Sequence, residues 1–317
     1  MPRHAATPEA SPASPRRRRT RLALLAAAVV AVASGGSALV ASAATERLFS
    51  PRYHSTDGAA TPNKPFAGWT GAQVPTSGNA TLTNGKSNRL GVVANPKRNR
   101  IEKARYVLRA ELQQGDVTNT GGLKRPRAEV LHTADKGNPG DLRYYAFSLR
   151  LGPFPMSTNG KLWTIVTQWK GENGGEPPMA IQVYNGRLKL VRVMGSVQKY
   201  KCASNPKDTC TKLAGATRNE WDLGKAPVNK WTRFVFQIRW SQGPDGRLCV
   251  RRDGHTIKCI KRLRTLQVYT PDGPGAADPV FLKQGLYRSD DWTVQQVAYF
   301  GPMVIADNAR SAGWSKR

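Results

Sequence analysis

The chain has 317 residues, 39% of them hydrophobic, with 8 Trp, 9 Tyr and 8 Phe; that is material for one large core or two ordinary ones and excludes global disorder. Lys and Arg number 49 against 21 Asp and Glu, a formal +28, which calls for a polyanionic partner or a basic surface and leaves the fold open. Nucleic acid, anionic lipid and acidic polysaccharide all satisfy that charge.

Residues 1–43 carry Arg3, Arg16, Arg17, Arg18, Arg19 and Arg21, then an apolar run from Leu22 to Ala33, then Ala41-Ser42-Ala43. A positive start, an apolar middle and a small-residue cleavage site predict an N-terminal signal peptide. The run breaks at Ser34-Gly35-Gly36-Ser37, short of the roughly 20 residues of a membrane span. The expectation is a secreted, extracellular protein with no stable membrane association after cleavage. Six arginines against Glu9 take five of the 28 formal charges with them, leaving +23 on the mature chain.

Residues 44–95 are rich in Ser, Thr, Pro, Gly and Asn with little periodicity and predict a leader holding the first strand or strands. Residues 96–317 predict the main domain. Arg143 to Leu151, Lys161 to Lys170 and Trp231 to Trp240 are aromatic and β-branched runs bounded by Gly, Pro and Asn, the composition of strands. Ala180 to Met194 turns at Asn185-Gly186 and Leu248 to Ile260 at Asp253-Gly254, both hairpin signals. Glu220-Trp221-Asp222, ahead of Gly224 and Pro227, reads as loop. Further strands are expected from Val280 to Ser289 and from Gln295 to Ile305. No stretch has helical amphipathic spacing. The fold class is all-β: a two-sheet sandwich of the β-jelly roll or concanavalin A-like kind.

Cys202 and Cys210 flank a polar loop, and Cys249 and Cys259 flank the Asp253-Gly254 turn. Four cysteines allow three pairings, and local closure favours Cys202 with Cys210 and Cys249 with Cys259. Neither pair has the short ligand spacing of a structural zinc site, and no metal is expected.

Strand parity picks out three polar segments. Arg127 and Glu129 share a face. Gln168 and Lys170 share a face, with Trp169 turned to the core. Lys283, Gly285 and Tyr287 fall at i, i+2 and i+4, a small residue between a lysine and a tyrosine. The plain reading of such pairs is the wet side of an antiparallel sheet.

In this order, Arg127-Ala128-Glu129, Gln168-Trp169-Lys170 and Phe281-Leu282-Lys283-Gln284-Gly285-Leu286-Tyr287 resemble the motifs of the jelly-roll polysaccharide lyases: alginate lyases of that fold, glucuronan lyase and the heparin lyase I type. The third segment keeps lysine, glycine and tyrosine in register and is the most specific. The resemblance spans about residues 100 to 305 and is closest to secreted members of the heparin lyase I-like group. It implies β-elimination on an anionic, uronic-acid polysaccharide by a monomer that requires no cofactor, with room for a structural Ca2+.

Physical chemistry fits that reaction. The proton α to a uronate carboxylate is acidic only if the carboxylate is neutralised and the dianionic intermediate is met by preorganised donors. Arg127 offers a forked contact and Gln168 an amide donor. Lys283 or Lys170 offers positive charge that brings the Tyr287 phenolate within reach, and Tyr287 serves as base and acid. Lys170 and Glu129 would contact the substrate. One departure stands out: Lys170 occupies the place of a family histidine, and a lysine at its ordinary pKa of about 10.4 holds its proton at neutral pH. His132 is the nearest alternative base, though parity sets it on the face opposite Arg127 unless a bulge intervenes.

A hydrolase of this fold would need paired carboxylates about 5–5.5 Å apart for retention, and Glu220 with Asp222 is the nearest such run. A non-catalytic, lectin-like module binding a polyanionic glycan is the rival from another class, supported by the net charge and by basic runs such as Lys258 to Arg264. No nucleic-acid motif appears, and export argues against a nucleic-acid partner.

Overall fold

The computed structural model describes residues 47–314, apart from 62, 63, 65, 79, 121, 122, 158, 160, 202–208 and 271–274. The expected signal peptide over residues 1–43 and Cys202 lie outside the described residues. Strands, turns and bends make up the described residues, with no helix among them.

Two nine-stranded sheets face each other. The first orders its strands as Ala276–Ala277, Val268–Tyr269, Arg187–Lys201, Met179–Tyr184, Thr164–Gly171, Val280–Arg288, Arg127–Gly137 and Gly71–Gln73, with Thr209–Lys225 also paired to Arg187–Lys201. The second runs His255–Lys261, Arg247–Arg252, Thr232–Arg239, Leu142–Leu151, Gln296–Phe300, Tyr106–Leu112 and Leu90–Ala94, with Arg47–Phe49 and Val304–Ala306 paired alongside. The all-β sandwich expected from the sequence is the observed architecture.

Alternation explains the core. Val166 and Trp169, Met179, Ile181 and Val183, Leu188 and Leu190, and Leu282 and Leu286 turn inward from the first sheet to meet Tyr145, Phe147, Phe234, Phe236 and Ile238 of the second. Trp169 touches Tyr145 and Phe236 edge-on at 5.3 and 5.2 Å between centroids, joining the layers with a large apolar contact. The indole of Trp240 donates to the Tyr145 hydroxyl at 3.1 Å.

Both expected hairpins form, with Asn185 and Gly186 at φ of 46° and 69° and Asp253 and Gly254 at 50° and 88°; two successive positive φ values are what a type I′ turn demands. Cys249 stands directly opposite Cys259 in register and is bonded to it, with Cα atoms 4.1 Å apart. Cys210 is also disulfide-bonded.

Residues 44–95 supply strands to both sheets: Arg47–Phe49 pairs with Val304–Ala306, Gly71–Gln73 with Glu129 to Leu131, and Leu90–Ala94 with Tyr106 to Ala110. Two expectations are corrected. The single strand expected from Gln295 to Ile305 is two, Gln296–Phe300 and Val304–Ala306, since Pro302 has no N–H to give a ladder. Glu220-Trp221-Asp222 is not loop; it lies in a 17-residue strand, Thr209–Lys225, that forms a long ribbon with Arg187–Lys201.

Candidate active site

The register of the first sheet draws lines of side chains across it. Arg127 is opposite Tyr287, Tyr287 opposite Ile165, Ile165 opposite Gln182, and Gln182 opposite Lys189. One step along, Glu129 faces Gly285, Lys283 faces Gln168, and Gln168 faces Ala180. Between these lines the pairing slips: Tyr287 and Gln284 oppose Ile165 and Thr167, so the Val280–Arg288 strand holds one extra residue. Gly285 sits there at φ 143°, where an added Cβ would lie 2.1 Å from the Ala128 carbonyl oxygen. Only glycine fits both the backbone angle and the close neighbour. The slip brings Ile165 and Gln168, three residues apart, onto one face.

That face floors a cavity of about 1010 Å³, lined by Gln73, Arg127, Trp163, Gln168, Lys170 and Tyr287 on one side and by Gln182, Tyr184, Lys189, Arg218 and Glu220 on the other. Beneath the first group lies a closed polar network. Lys283 Nζ donates to Glu129 Oε2 and to Gln73 Oε1, both at 2.6 Å, and Gln168 Nε2 donates to Glu129 Oε1 at 2.5 Å. Glu129, Gln168 and Lys283 are 1%, 2% and 3% exposed. Burial pulls the Lys283 ammonium down from its ordinary pKa, the Glu129 charge opposes that, and Arg127 adds to it. A buried pair of this kind positions its partners more than it stabilises the fold. Neither Glu129 nor Lys283 is among the residues lining the cavity.

Tyr287 is held by its ring. The Arg127 guanidinium lies 4.1 Å from the ring centroid, and Trp163 meets it edge-on at 4.8 Å. Arg127 Nη1 reaches Gln73 Oε1 at 3.5 Å, while its buried Nε has no hydrogen-bond partner. Lys170 donates to the carbonyls of Gly174 and Gly175 at 2.6 and 2.5 Å. Burial, with Lys283 and Arg127 adding, pushes its pKa down to about 8, against the pull of Asp278. The lysine in the histidine's place is therefore far closer to neutrality than the sequence implies.

His132 does not join them. Pairing runs unbroken from Tyr287 opposite Arg127 to Leu282 opposite His132, so no bulge turns the imidazole to the cavity. It stacks on Phe49 at 3.8 Å, its Nε2 lies 2.7 Å from Asp135 Oδ2, and it is 4% exposed. It belongs to the layer under the sheet.

The far wall comes from the ribbon. Lys189 Nζ donates to Glu220 Oε2 at 2.9 Å and lies 4.6 Å from the Tyr184 ring. Arg218 donates to Glu220 Oε1 at 2.9 Å and to Gln182 Oε1 at 3.2 Å. The hydrogen bond from Lys189, then that from Arg218, holds the Glu220 carboxyl below its ordinary pKa. Asp222 is paired instead to Arg187. Sequence reading missed Gln73, Trp163 and this wall; the alternation of Arg218, Glu220 and Asp222 was the available signal, hidden by its polarity. Among the described residues no group of three or more His, Cys, Asp or Glu side chains is gathered to hold a metal.

The chain belongs to the polysaccharide lyase family: that family's model, described as Polysaccharide lyase, matches residues 67–302. Among solved structures it is similar to the endo-β-1,4-glucuronan lyase of the fungus Trichoderma reesei, at 18% identity and a TM-score of 0.56, covering 84% of this chain and 98% of that one. It is also matched to the marine alginate lyase of Aplysia kurodai, at 12% identity and a TM-score of 0.47, covering 83% and 100%. The alginate lyase of Klebsiella pneumoniae matches at 10% identity and a TM-score of 0.44, covering 75% and 95%. No curated protein sequence matches.

Proposed function

We propose that this polysaccharide lyase cleaves a uronic-acid polymer by β-elimination in the cavity, with Tyr287 moving the proton. The observation that carries this is the placement of Tyr287 at the cavity floor, clamped between Arg127 and Trp163 and in line with Gln182 and Lys189. The uronate carboxylate sits against Arg127 and Gln168, whose Nε2 has a second hydrogen beyond the one given to Glu129. Tyr287 takes the C5 proton, the freed electron pair forms the C4=C5 double bond, the C4–O4 bond breaks, and the proton returns to the departing oxygen. Arg127 over the ring stabilises the phenolate form of Tyr287, the form that takes the C5 proton. Lys170 contributes positive potential. Glu129 and Lys283 act as positioning residues beneath.

The reaction is general acid–base chemistry on a substrate that carries its own leaving group, so it calls for no cofactor. Glu129 is spent on Lys283, and Glu220 on Lys189 and Arg218, which disfavours paired-carboxylate hydrolysis. The heparin lyase I-like motifs, export through residues 1–43 and action as an extracellular monomer complete this reading. The test is incubation with alginate, glucuronan, heparin and heparan sulfate while following near-ultraviolet absorbance of unsaturated uronide ends. Absorbance on at least one polymer, abolished by Tyr287→Phe, is expected. Binding without absorbance on any of them would leave the glycan-binding module instead.

A further inference from the structure

The second sheet, whose outer face points away from the cavity-bearing sheet, has a row of like charges. Arg239 is opposite Arg247, and Arg247 is opposite Lys261. Their neighbours Ile238 and Leu248 lie in the core and Ile260 packs against it, so the three cations project outward together. Like charges directly opposite one another destabilise an antiparallel sheet. Among the described residues Asp245, 3.5 Å from Arg239 and itself 59% exposed, is the one acid paired with the row; Arg247 donates instead to Cys249 Sγ at 3.3 Å. Two positions along, on the same face, the Cys249–Cys259 disulfide ties the strands that carry Arg247 and Lys261. The crosslink holds the strands in register against their own repulsion. The exposed Arg262 and Arg264 extend the charge beyond the row.

We infer that this row is a second, non-catalytic binding site for an anionic polysaccharide, separate from the cavity. Its cations are spaced by one strand interval each, about 4.8 Å, on a rigid, crosslinked edge, and so present a linear series of charges to a polymer with an anion on successive sugars. A polysaccharide rather than a nucleic acid is the occupant because the chain belongs to a family that acts on polysaccharides. The inference rests on that membership, not on the bond the cavity cleaves.

The experiment compares the full chain with an Arg239→Gln/Arg247→Gln/Lys261→Gln variant, using labelled alginate and heparin polymers, a uronate tetrasaccharide and a DNA duplex of matched charge, across a salt series. The variant is expected to bind polymer about tenfold more weakly at low salt with a flatter salt dependence, the scale of a few exposed charge contacts. Tetrasaccharide turnover should stay the same and the melting temperature should hold or rise. Single Arg247→Gln is read the same way if the triple variant folds poorly. Unchanged polymer binding in the variants, no polymer binding by the wild type, or duplex DNA bound as tightly as polymer would each overturn the site. Polymer held through the row without unsaturated ends forming would leave the row standing and remove the reaction assigned to the cavity.

Discussion

The cavity has two walls of different construction. On one side Gln73 and Gln168 line it above the buried Glu129–Lys283 pair to which both are hydrogen-bonded, fixed by a bulged strand and a glycine nothing else can replace. On the other, Lys189, Glu220 and Arg218 stand on a two-stranded ribbon, with side chains 31%, 36% and 47% exposed. Buried pairing in low dielectric fixes geometry and punishes any single deletion, whereas exposed pairs contribute little and rearrange readily. The first side holds its side chains at fixed distances; the second leaves them free to adjust.

The sharpest way to break that contrast is at the tyrosine. Tyr287→Phe keeps the ring contacts with Arg127 and Trp163 and is expected to cut kcat about 10²–10⁴-fold, the usual worth of a proton-transfer group, with stability unchanged; activity at the wild-type level removes Tyr287 from the chemistry. Next comes Glu129→Ala, which leaves the Lys283 ammonium buried without its counter-charge. It should cost about 3–5 kcal/mol in denaturant unfolding, with Glu129→Ala/Lys283→Met recovering much of the loss. Gly285→Ala introduces a Cβ 2.1 Å from a carbonyl oxygen at φ 143° and should depress both melting temperature and activity; a neutral result would show that the bulge relaxes.

A smaller effect is expected in pH dependence. Lys170 has a folded pKa of about 8 against an ordinary 10.5. Its charge is lost as pH rises through about 8, so kcat/KM on a uronate polymer should fall there, and less so in Lys170→Arg. Because the unfolded chain holds that proton up to about 10.5 and the folded chain does not, this group's contribution to stability rises with pH between 8 and 10.5; Lys170→Met should flatten that slope. Smallest of all, Lys189→Met or Arg218→Gln is expected to raise KM by about two- to tenfold with kcat held and stability within about 0.5 kcal/mol. A kcat loss as large as that of Tyr287→Phe would mean that the ribbon wall is part of the reacting centre.

What the sequence disclosed follows the same division. Strands such as Leu142–Leu151 and Thr232–Arg239 were legible because an inward aromatic or branched residue recurs at every second position, and core burial demands that pattern. The Thr209–Lys225 strand was not, since its exposed ribbon imposes no apolar alternation and its polar residues read as loop. Parity alone paired Arg127 with Glu129, Gln168 with Lys170 and Lys283 with Tyr287, and set His132 apart; that the three pairs lie on one face follows from strand order and register. Parity did not show that Glu129 would take up the charge of Lys283, because that depends on how far each side chain sinks below the floor. Gln73 was illegible for a similar reason: three residues in a Gly- and Pro-rich stretch become a strand through a partner 56 residues away in sequence, Glu129.

The His255–Lys261 strand closes one side of its sheet, leaving a row of backbone groups open to any passing strand. At seven residues it is longer than the edges Ala276–Ala277 and Gly71–Gln73 of the other sheet, though shorter than the Thr209–Lys225 edge of the ribbon. A long open edge is where sandwich proteins join edge to edge into aggregates. Lys258 and Lys261 on that strand set like charge against a copy arriving alongside, which opposes such joining.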